Sequence, residues 1–349
     1  MYVVASMLHG PPYQRVLVAD LQYGMTNRLR ALGSAKAIAD ATGRLLVAIW
    51  EPDAHCYARL SDLLEVPGRG TIVVDKGASL RALLDIQTVR DSYIKYDLMK
   101  PEAKFIQVDG TSTSNIYVRS AFQVFSKAPY QNAHIINMRE LSNRGSAAVR
   151  AIIAEYHGSL PSKTPDSYHA AMVGVHVRMV AVVTEDTPGL TEEEALRMEL
   201  ATAFRVSCHY RYFLERMLEY PATTRFFLSS DSPEAYSHVS KHQQLKGRVF
   251  FVQSQGCTER SPRCMAYAAA DLLLLSRTSE LLASKWSAFS ETAGKLGGMP
   301  VHDGCDEPAG GWKLKGPSAV LTNQVIKYLK DKQFPGVDRV ANALGRFKM

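Results

Sequence analysis

The stretch from Arg263 to Gly298 constrains the fold of this 349-residue chain more than any other. Its pattern predicts an amphipathic helix, a short apolar strand, a turn of small residues and a second helix. The turn, residues 283–288 (ASKWSA), therefore lies where the carboxyl end of a strand meets the amino end of a helix. Open α/β sheets bind anionic ligands at such a position, because the first N–H groups of the helix point at the ligand. The stretch therefore predicts a parallel sheet with a site for a nucleotide-type diphosphate.

The rest of the chain alternates strands and helices in two successive halves. A strand at 15–20, a helix at 27–42 and a strand at 45–50 form a βαβ unit, which implies parallel strands. A proline-containing segment at 158–167 is the predicted linker, so we expect two α/β domains, residues 1–165 and 166–349, separated by a cleft. The other predicted strands are 71–75, 105–109, 171–177, 225–229 and 248–253, and the other predicted helices are 146–157, 191–219, 233–241 and 321–331.

Composition narrows the class of protein. The chain is 46% hydrophobic and 21% charged, which is typical of a soluble globular protein, and its formal charge is +7. This basic excess suits an anionic small ligand, and no Lys/Arg run is long enough to favour nucleic acid or anionic lipid. No apolar run could span a bilayer and no leader-like segment is present, so we expect a cytoplasmic protein, unless a membrane anchor (of the Golgi type, for instance) precedes the sequence.

The five cysteines lack CxxC spacing, which argues against a zinc module and against a dense disulfide framework. Free thiols are expected, with a local Cys257–Cys264 bridge as the alternative. No Asp-x-Asp pair is present either, so the sequence predicts no metal site that would hold a nucleotide diphosphate.

Two strand ends carry side chains suited to a nucleotide. In residues 174–178 (GVHVR), His176 and Arg178 lie on the same face by the two-residue period, and arginine offers a planar fork of donors for phosphate. The alternatives are an interdomain ion pair for Arg178 and a core position for His176. In 226–234 (FFLSSDSPE), Asp231 ends a buried strand and suits a ribose or a base; the alternative is that Ser230, Asp231 or Ser232 caps the next helix.

A third segment, residues 24–30 (GMTNRLR), follows the first strand. Its glycine suits a tight turn close to a ligand, and Asn27 or Arg28 would face the cleft. The spacing is neither GxGxxG nor GxxxxGK[ST], which argues against NAD-binding and P-loop folds.

In this order the motifs resemble the GDP-fucose-dependent fucosyltransferases of the core alpha-1,6 and nodulation-factor type and, more distantly, the protein O-fucosyltransferases. The matching pieces are GMTNRLRAL, GVHVR, FFLSSDSPE and DLLLLSRTSELLASKWSAFSETA, which together span residues 24–296. The resemblance implies a GT-B-like fold of two facing Rossmann-like domains, with the acceptor on the first and the donor nucleotide on the second. It also implies inverting, metal-independent transfer of L-fucose from GDP-fucose to a glycan or protein hydroxyl, with no further cofactor.

The same resemblance assigns roles to individual residues. Arg178 would hold the β-phosphate, His176 would lie by the guanine or ribose, and Asp231 would read the guanine. The residues expected to border the diphosphate are Ser284, Ser287, Ala288 and Phe289. The family's strand motif continues Arg-Thr-Asp, whereas this chain continues Met-Val-Ala, which removes a cation and a carboxylate from the site.

The attacking hydroxyl needs a base or a strong acceptor. Glu185 is the predicted base, with Asp186 next and a merely solvated loop as the alternative. The alternative functions are a glycosyltransferase that uses another GDP- or UDP-sugar, a degenerate sugar-nucleotide-binding protein without turnover, and an interaction module or basic nucleic-acid binder.

Overall fold

The computed structural model describes residues 15–65, 70–100, 107–109, 112–126, 145–179, 208–254, 257, 259–284 and 287–305. Its contacts divide the chain into two compact units. The first contains the chain up to Ser159 together with Val252–Ser276 and Lys295–Gly297, and the second contains Leu160–Phe251, Arg277–Gly294 and the chain from Gly298 onward. The predicted domain boundary at residue 165 stays a prediction.

The first unit is built on a five-stranded parallel sheet of order β3-β2-β1-β5-β4. Its strands are β1 Val16–Leu21, β2 Leu45–Ile49, β3 Thr71–Val74, β4 Tyr93–Asp97 and β5 Asn115–Ser120. Its helices are α1 Met25–Ala41, α2 Leu60–Leu63, α3 Ala78–Asp85, α4 Gln87–Arg90, α5 Ala147–Ser159 and α9 Pro262–Leu275, the last of which packs on α5. All six residues of β1 are buried, because a central parallel strand is covered on both faces.

The second unit repeats this architecture, with a parallel sheet of order β10-β9-β6-β7-β8. Its strands are β6 Val173–Val177, β7 Phe226–Ser230, β8 Val249–Phe250, β9 Glu280–Ala283 and β10 Val301–Asp303. Its helices are α6 Pro165–Ala170, α7 Tyr210–Glu219, α8 Pro233–Lys241, the short 3₁₀ helix Gln243–Leu245 and α10 Ala288–Gly297. The prediction of an α/β chain with two Rossmann-like parallel sheets is confirmed.

Several elements were missed, and two predictions about individual elements were wrong or incomplete. The elements not predicted at all are strands β4, β5 and β10 and helices α2, α3, α4 and α6. In β5 the signal is weak because buried residues alternate with half-buried ones, several of which are polar. Of the predicted strand at 105–109, the described residues form only a single bridge from Val108 to Ser126. The helix predicted at 191–219 does not continue through His209, whose extended backbone caps α7. The helix predicted at 321–331 lies outside the described residues.

Four of the five cysteines form disulfides, so the expectation of free thiols was wrong for them. The pairs are Cys208–Cys305 in the second unit and Cys257–Cys264 in the first, while Cys56 is free and buried. Only the second pair, seven residues apart, could be proposed from spacing; the first joins residues separated by 97 positions. Disulfides are typical of oxidising compartments, in contrast with the expected cytoplasmic location.

Among the helices in the described part of the chain, none combines the length and the apolar character that a membrane crossing requires.

Candidate functional site

In the second sheet the order in which strands are added reverses between β6 and β9, and the candidate site lies at the carboxyl ends of these two strands. From β6 the chain continues through β7 to β8 on one side, and β9 and β10 are added on the other. Ligands bind open α/β sheets in the crevice at this switch point. Arg178 directly follows β6 and Ser284 directly follows β9, so both predicted residues are at the switch point.

Ser284 joins the two strand ends. Its hydroxyl accepts a hydrogen bond from Arg178 N at 2.8 Å and donates one to the carbonyl oxygen of His176 at 3.0 Å. The backbone N–H of Ser284 donates to the same carbonyl at 3.1 Å. The side chain is buried, so its part in the site is to fix the position at which the Arg178 side chain leaves the sheet.

Asp231, which follows β7, holds the Arg178 side chain. Its Oδ2 lies 2.8 Å from Arg178 Nη1, and its Oδ1 accepts a hydrogen bond from Met179 N at 2.8 Å. The side chain of Arg178 remains 27% exposed. A guanidinium has five N–H donors, more than one carboxylate accepts, so Arg178 can bind an anion while it is paired with Asp231. The predicted contact of Asp231 with guanine stays a prediction.

Of the three residues that could cap the helix after β7 (Ser230, Asp231 and Ser232), Ser232 takes this role. Ser232 is the N-cap of α8, and its hydroxyl accepts a hydrogen bond from Ala235 N. The hydroxyl of Ser230 donates to the carbonyl oxygen of Val177 at 2.9 Å, which ties β7 to β6. Neighbouring serines thus cap the helix and join the strands, while the carboxylate of Asp231 binds Arg178 and Met179 N.

His176 is a buried histidine with partners inside the fold. It is 4% exposed, its Nδ1 lies 2.6 Å from the hydroxyl oxygen of Ser290, and its ring stacks on Phe289 with centroids 4.7 Å apart. Burial, and secondarily the charge of Arg178, lowers the pKa of His176 from 6.5 to about 3. This geometry favours the core position given above as the alternative and leaves little surface for a ligand.

Replacement of His176 by glutamine should make the protein less sensitive to acid. The folded pKa is lowered, so between pH 6.5 and about 3 the unfolded chain binds a proton at His176 that the folded chain does not. Stability should therefore fall with decreasing pH in this window, by up to about 1.4 kcal/mol per pH unit from this group. Urea unfolding of wild type and His176→Gln at a series of pH values checks this. The free energy of unfolding should depend less steeply on pH in the variant, by the contribution of one proton, and equal pH dependence in the two proteins would contradict the prediction.

The amino end of α10 supplies the remaining predicted donor-site residues. Ser287 is the N-cap, with its hydroxyl accepting from Ser290 N, and Ala288 and Phe289 form the start of the first turn. All three are partly exposed. The N–H groups of a first turn and the helix dipole favour an anion. The helix N-terminus thus follows β9 at the same switch point as Arg178.

In the first unit, Arg28 does not have the exposed position that the sequence suggested. Its side chain is fully buried. Its Nε donates to the carbonyl oxygen of Tyr23 at 2.6 Å, its Nη1 donates to that of Glu51 at 2.5 Å, and its Nη2 pairs with Asp53 Oδ2 at 2.6 Å. The geometry therefore favours a structural role for Arg28. Asn27 is partly exposed and accepts a hydrogen bond from Arg30.

A buried polar network at the carboxyl end of β1 was missed in the sequence. Asp20 is fully buried and receives two hydrogen bonds from Arg81, at 2.7 and 2.8 Å, and one from Tyr117 at 2.8 Å. Arg81 also pairs with Glu51 at 2.5 Å. Burial and the neighbouring Asp20 raise the pKa of Tyr117, so its hydroxyl stays a donor. An aspartate at the end of an otherwise apolar strand is the only signal that pointed to this network.

The predicted base Glu185 and its alternative Asp186 lie outside the described part of the chain. So do Lys285 and Trp286, in the turn before α10. Within the described residues no group of three His, Cys, Asp or Glu side chains is placed to hold a metal ion.

Comparison with solved structures identifies a crystal structure of NodZ alpha-1,6-fucosyltransferase soaked with GDP-fucose, 21% identical with a TM-score of 0.50, over 83% of this chain and 95% of that chain. A mutant of Arabidopsis thaliana FUT1 in complex with GDP (15% identity, TM-score 0.47, 86% of this chain and 74% of that one) also matches. POFUT1 in complex with GDP matches as well, with 13% identity and a TM-score of 0.48, over 83% of this chain and 97% of that chain. No protein-family model and no curated protein sequence matches the chain. At this identity the first comparison shows the fold, and the expected α/β fold with two Rossmann-like parallel sheets is confirmed.

Proposed function

We propose that this protein is a glycosyltransferase that transfers L-fucose from GDP-fucose to a hydroxyl group of a glycan or protein. The observation that carries the proposal is the position of Arg178 at the switch point of the second sheet, held by Asp231 and Ser284 beside the amino end of α10. Support also comes from the shared fold with the NodZ structure soaked with GDP-fucose.

The side chains at this edge suit a diphosphate. The planar fork of Arg178 matches two phosphate oxygens, and its charge cannot be lost at physiological pH. The N–H groups that follow Ser287 add donors with the favourable end of the helix dipole. Asp231 balances the charge of Arg178, so the groups that remain for the ligand are the guanidinium N–H donors that Asp231 does not use and the amino end of the helix.

The same groups can stabilise the departure of GDP. As the bond from the anomeric carbon to the β-phosphate oxygen breaks, negative charge grows on that oxygen, and a preorganised donor there lowers the barrier. In our proposal Arg178 supplies this donor in place of a metal ion, and Asp231 positions it. The acceptor hydroxyl attacks from the opposite face with inversion and gives its proton to Glu185, so that fucose is transferred and GDP leaves. No cofactor takes part.

Two alternatives remain on the same site. Another GDP- or UDP-activated sugar would use Arg178 in the same way. A binding protein without turnover is the second alternative, and the favouring observation is Met179, which stands where the related motif has a second arginine and donates its N–H to Asp231.

The choice of nucleotide is testable by thermal unfolding. GDP at 100 times its Kd should stabilise the protein by about 2.7 kcal/mol, whereas UDP at the same concentration should leave the melting temperature unchanged. GDP-fucose should be hydrolysed slowly and other sugar nucleotides should not, and EDTA should change neither result. Stabilisation by UDP alone would contradict the guanine preference, and GDP binding without any hydrolysis or transfer would favour the binding protein.

The two disulfides bear on the expected location. Because such cross-links persist mainly in oxidising compartments, they support folding of this chain outside the reducing cytoplasm. We therefore do not propose a cytoplasmic location for this protein.

A further inference from the structure

The first sheet has its own switch point, which the proposed donor site does not use. In the order β3-β2-β1-β5-β4 the chain runs outward from β1 to β3, and β5 and β4 lie on the other side of β1. The loop that follows β1 begins at this point, where Gln22 N donates to the carbonyl oxygen of Ser120 at the end of β5 at 3.0 Å. A ligand is expected at the carboxyl ends of such strands, and the next residue in the loop is Tyr23.

Tyr23 is held in an unusual conformation that exposes its ring. Its φ is 64°, the only positive value at a non-glycine residue in the described part of the chain, and the residue is 42% exposed. The left-handed region costs about 1–2 kcal/mol for a residue with a Cβ. The adjacent Gly24, which could adopt it freely, has φ −70° and starts α1. Strain of this kind concentrates at ligand-binding positions, where the surrounding structure maintains it.

Buried Arg28 maintains the conformation. One guanidinium binds the carbonyl oxygens of Tyr23 and Glu51 and the carboxylate of Asp53. The loop after β1 and the loop after β2 (residues 50–58) are therefore joined at a single buried point. A surface made by these two loops is preorganised, which reduces the entropy lost when a ligand binds.

The loop after β2 adds two further exposed rings. The rings of His55 and Tyr23 make an edge-to-face contact with centroids 5.3 Å apart, and Tyr57 is 53% exposed. Arg260 fixes this loop, because its side chain donates to the carbonyl oxygen of His55 and its own carbonyl accepts from Tyr57 N. Burial lowers the pKa of His55. We call the exposed rings of Tyr23, His55 and Tyr57 the aromatic surface.

We propose that the aromatic surface binds a pyranose ring of an oligosaccharide, with Tyr23 as the stacking residue. A pyranose with equatorial hydroxyls has an apolar C–H face that packs on the electron-rich face of a tyrosine ring. Its hydroxyl edge needs acceptors, and the partly exposed carboxylates of Glu51 and Asp53 lie on the same loop. That this oligosaccharide is the acceptor of sugar transfer rests on the proposed function. The binding of the oligosaccharide does not depend on it.

The charges at this surface favour a neutral sugar over a nucleotide. Arg28 and Arg81 pair with Asp53, Glu51 and Asp20, and the side chain of Arg260 donates to the carbonyl oxygens of Ala54 and His55. These cations are therefore engaged within the protein, while the partly exposed carboxylates of Glu51 and Asp53 would repel a phosphate. Stacking alone would also accept a purine, so the experiment must separate the two ligands.

Isothermal titration with β-1,4-linked tetrasaccharides of glucose and of N-acetylglucosamine tests the proposal on the full chain. Wild type should bind at least one of them with a Kd below about 10 mM. Tyr23→Ala should weaken this binding about tenfold, and Tyr23→Phe, which keeps the ring and the backbone preference, should stay within about threefold. Ile86→Ala is the matched control, since Ile86 is a large exposed apolar residue of the first unit, between α3 and α4 (52% exposed, against 42% for Tyr23). It should bind like wild type.

GDP binding and hydrolysis of GDP-fucose are measured in parallel. Tyr23→Ala should leave both unchanged, so that loss of tetrasaccharide binding with intact donor handling supports an acceptor site. Tetrasaccharide binding that depends on Tyr23 in a protein that ignores GDP would support the sugar site and refute the proposed function. No tetrasaccharide binding by wild type, equal binding by Tyr23→Ala, or weakened GDP binding as the only effect of Tyr23→Ala would each overturn the inference.

Discussion

Replacing Arg178 with alanine should lower the turnover of GDP-fucose by about 10²–10³-fold, the effect of removing one preorganised donor from a developing oxyanion. The fold should survive, because the side chain is partly exposed and the bond from Arg178 N to Ser284 does not involve it. Arg178→Lys should recover only part of the activity, since an ammonium group keeps the charge but not the planar fork. Steady-state rates of donor hydrolysis and transfer, with the melting temperature, measure these effects.

Arg225 offers the matched control. It is an exposed arginine of the same unit, it directly precedes β7 at the amino edge of the sheet, and it lies over the ring of Tyr168. Arg225→Ala should leave turnover unchanged. Near-normal turnover in Arg178→Ala, or an equal loss in both variants, would refute the role of Arg178 at the leaving diphosphate.

Removal of the Cys208–Cys305 disulfide should be the largest single loss of stability. The cross-link closes a loop of 97 residues between the start of α7 and the end of β10. In the loop-entropy treatment, closing such a loop reduces the conformational entropy of the unfolded chain and so raises its free energy by roughly 4–5 kcal/mol. The double variant Cys208→Ala/Cys305→Ala should therefore unfold at a much lower urea concentration than wild type. The free energy of unfolding from urea titration is the measurement.

The second disulfide provides the comparison. Cys257 and Cys264 are separated by seven residues, so their removal should cost only roughly 2–3 kcal/mol by the same treatment. Alkylation and mass measurement of the unreduced protein should find one modified thiol, Cys56, after denaturation. Five alkylated thiols, or equal stability of the Cys208/Cys305 variant and wild type, would contradict the cross-link.

Much of the fold was predictable because it depends on local patterns. Helix α8 has the predicted bounds, β1 and β7 are shifted by one residue from the predicted strands, and β2 is one residue shorter than predicted. Each of these strands opens with three or more consecutive apolar residues, as expected of buried parallel strands. Strands β4 and β5 were missed since their alternate positions are polar or half-buried, and in short segments that pattern is weak until a neighbouring strand is known.

The candidate site was predictable in position but not in pairing. Arg178, Asp231 and Ser284 each follow a strand, and parallel strands bring their carboxyl ends to one edge. That the carboxylate of Asp231 would bind Arg178 could not be inferred, because the two residues are 53 positions apart and meet only through the pairing of β6 with β7.

The sequence by itself determined the alternation of strands and helices and therefore which residues stand at strand ends. Only the tertiary structure decided which of these side chains are exposed. Arg28 and Arg178 occupy similar places in their motifs, yet one is buried between two loops and the other projects from a sheet edge. The physical reason is that a buried guanidinium needs carbonyl and carboxylate partners. Besides the nearby carbonyl oxygen of Tyr23, those of Arg28 come from a loop more than twenty residues away, at Glu51 and Asp53.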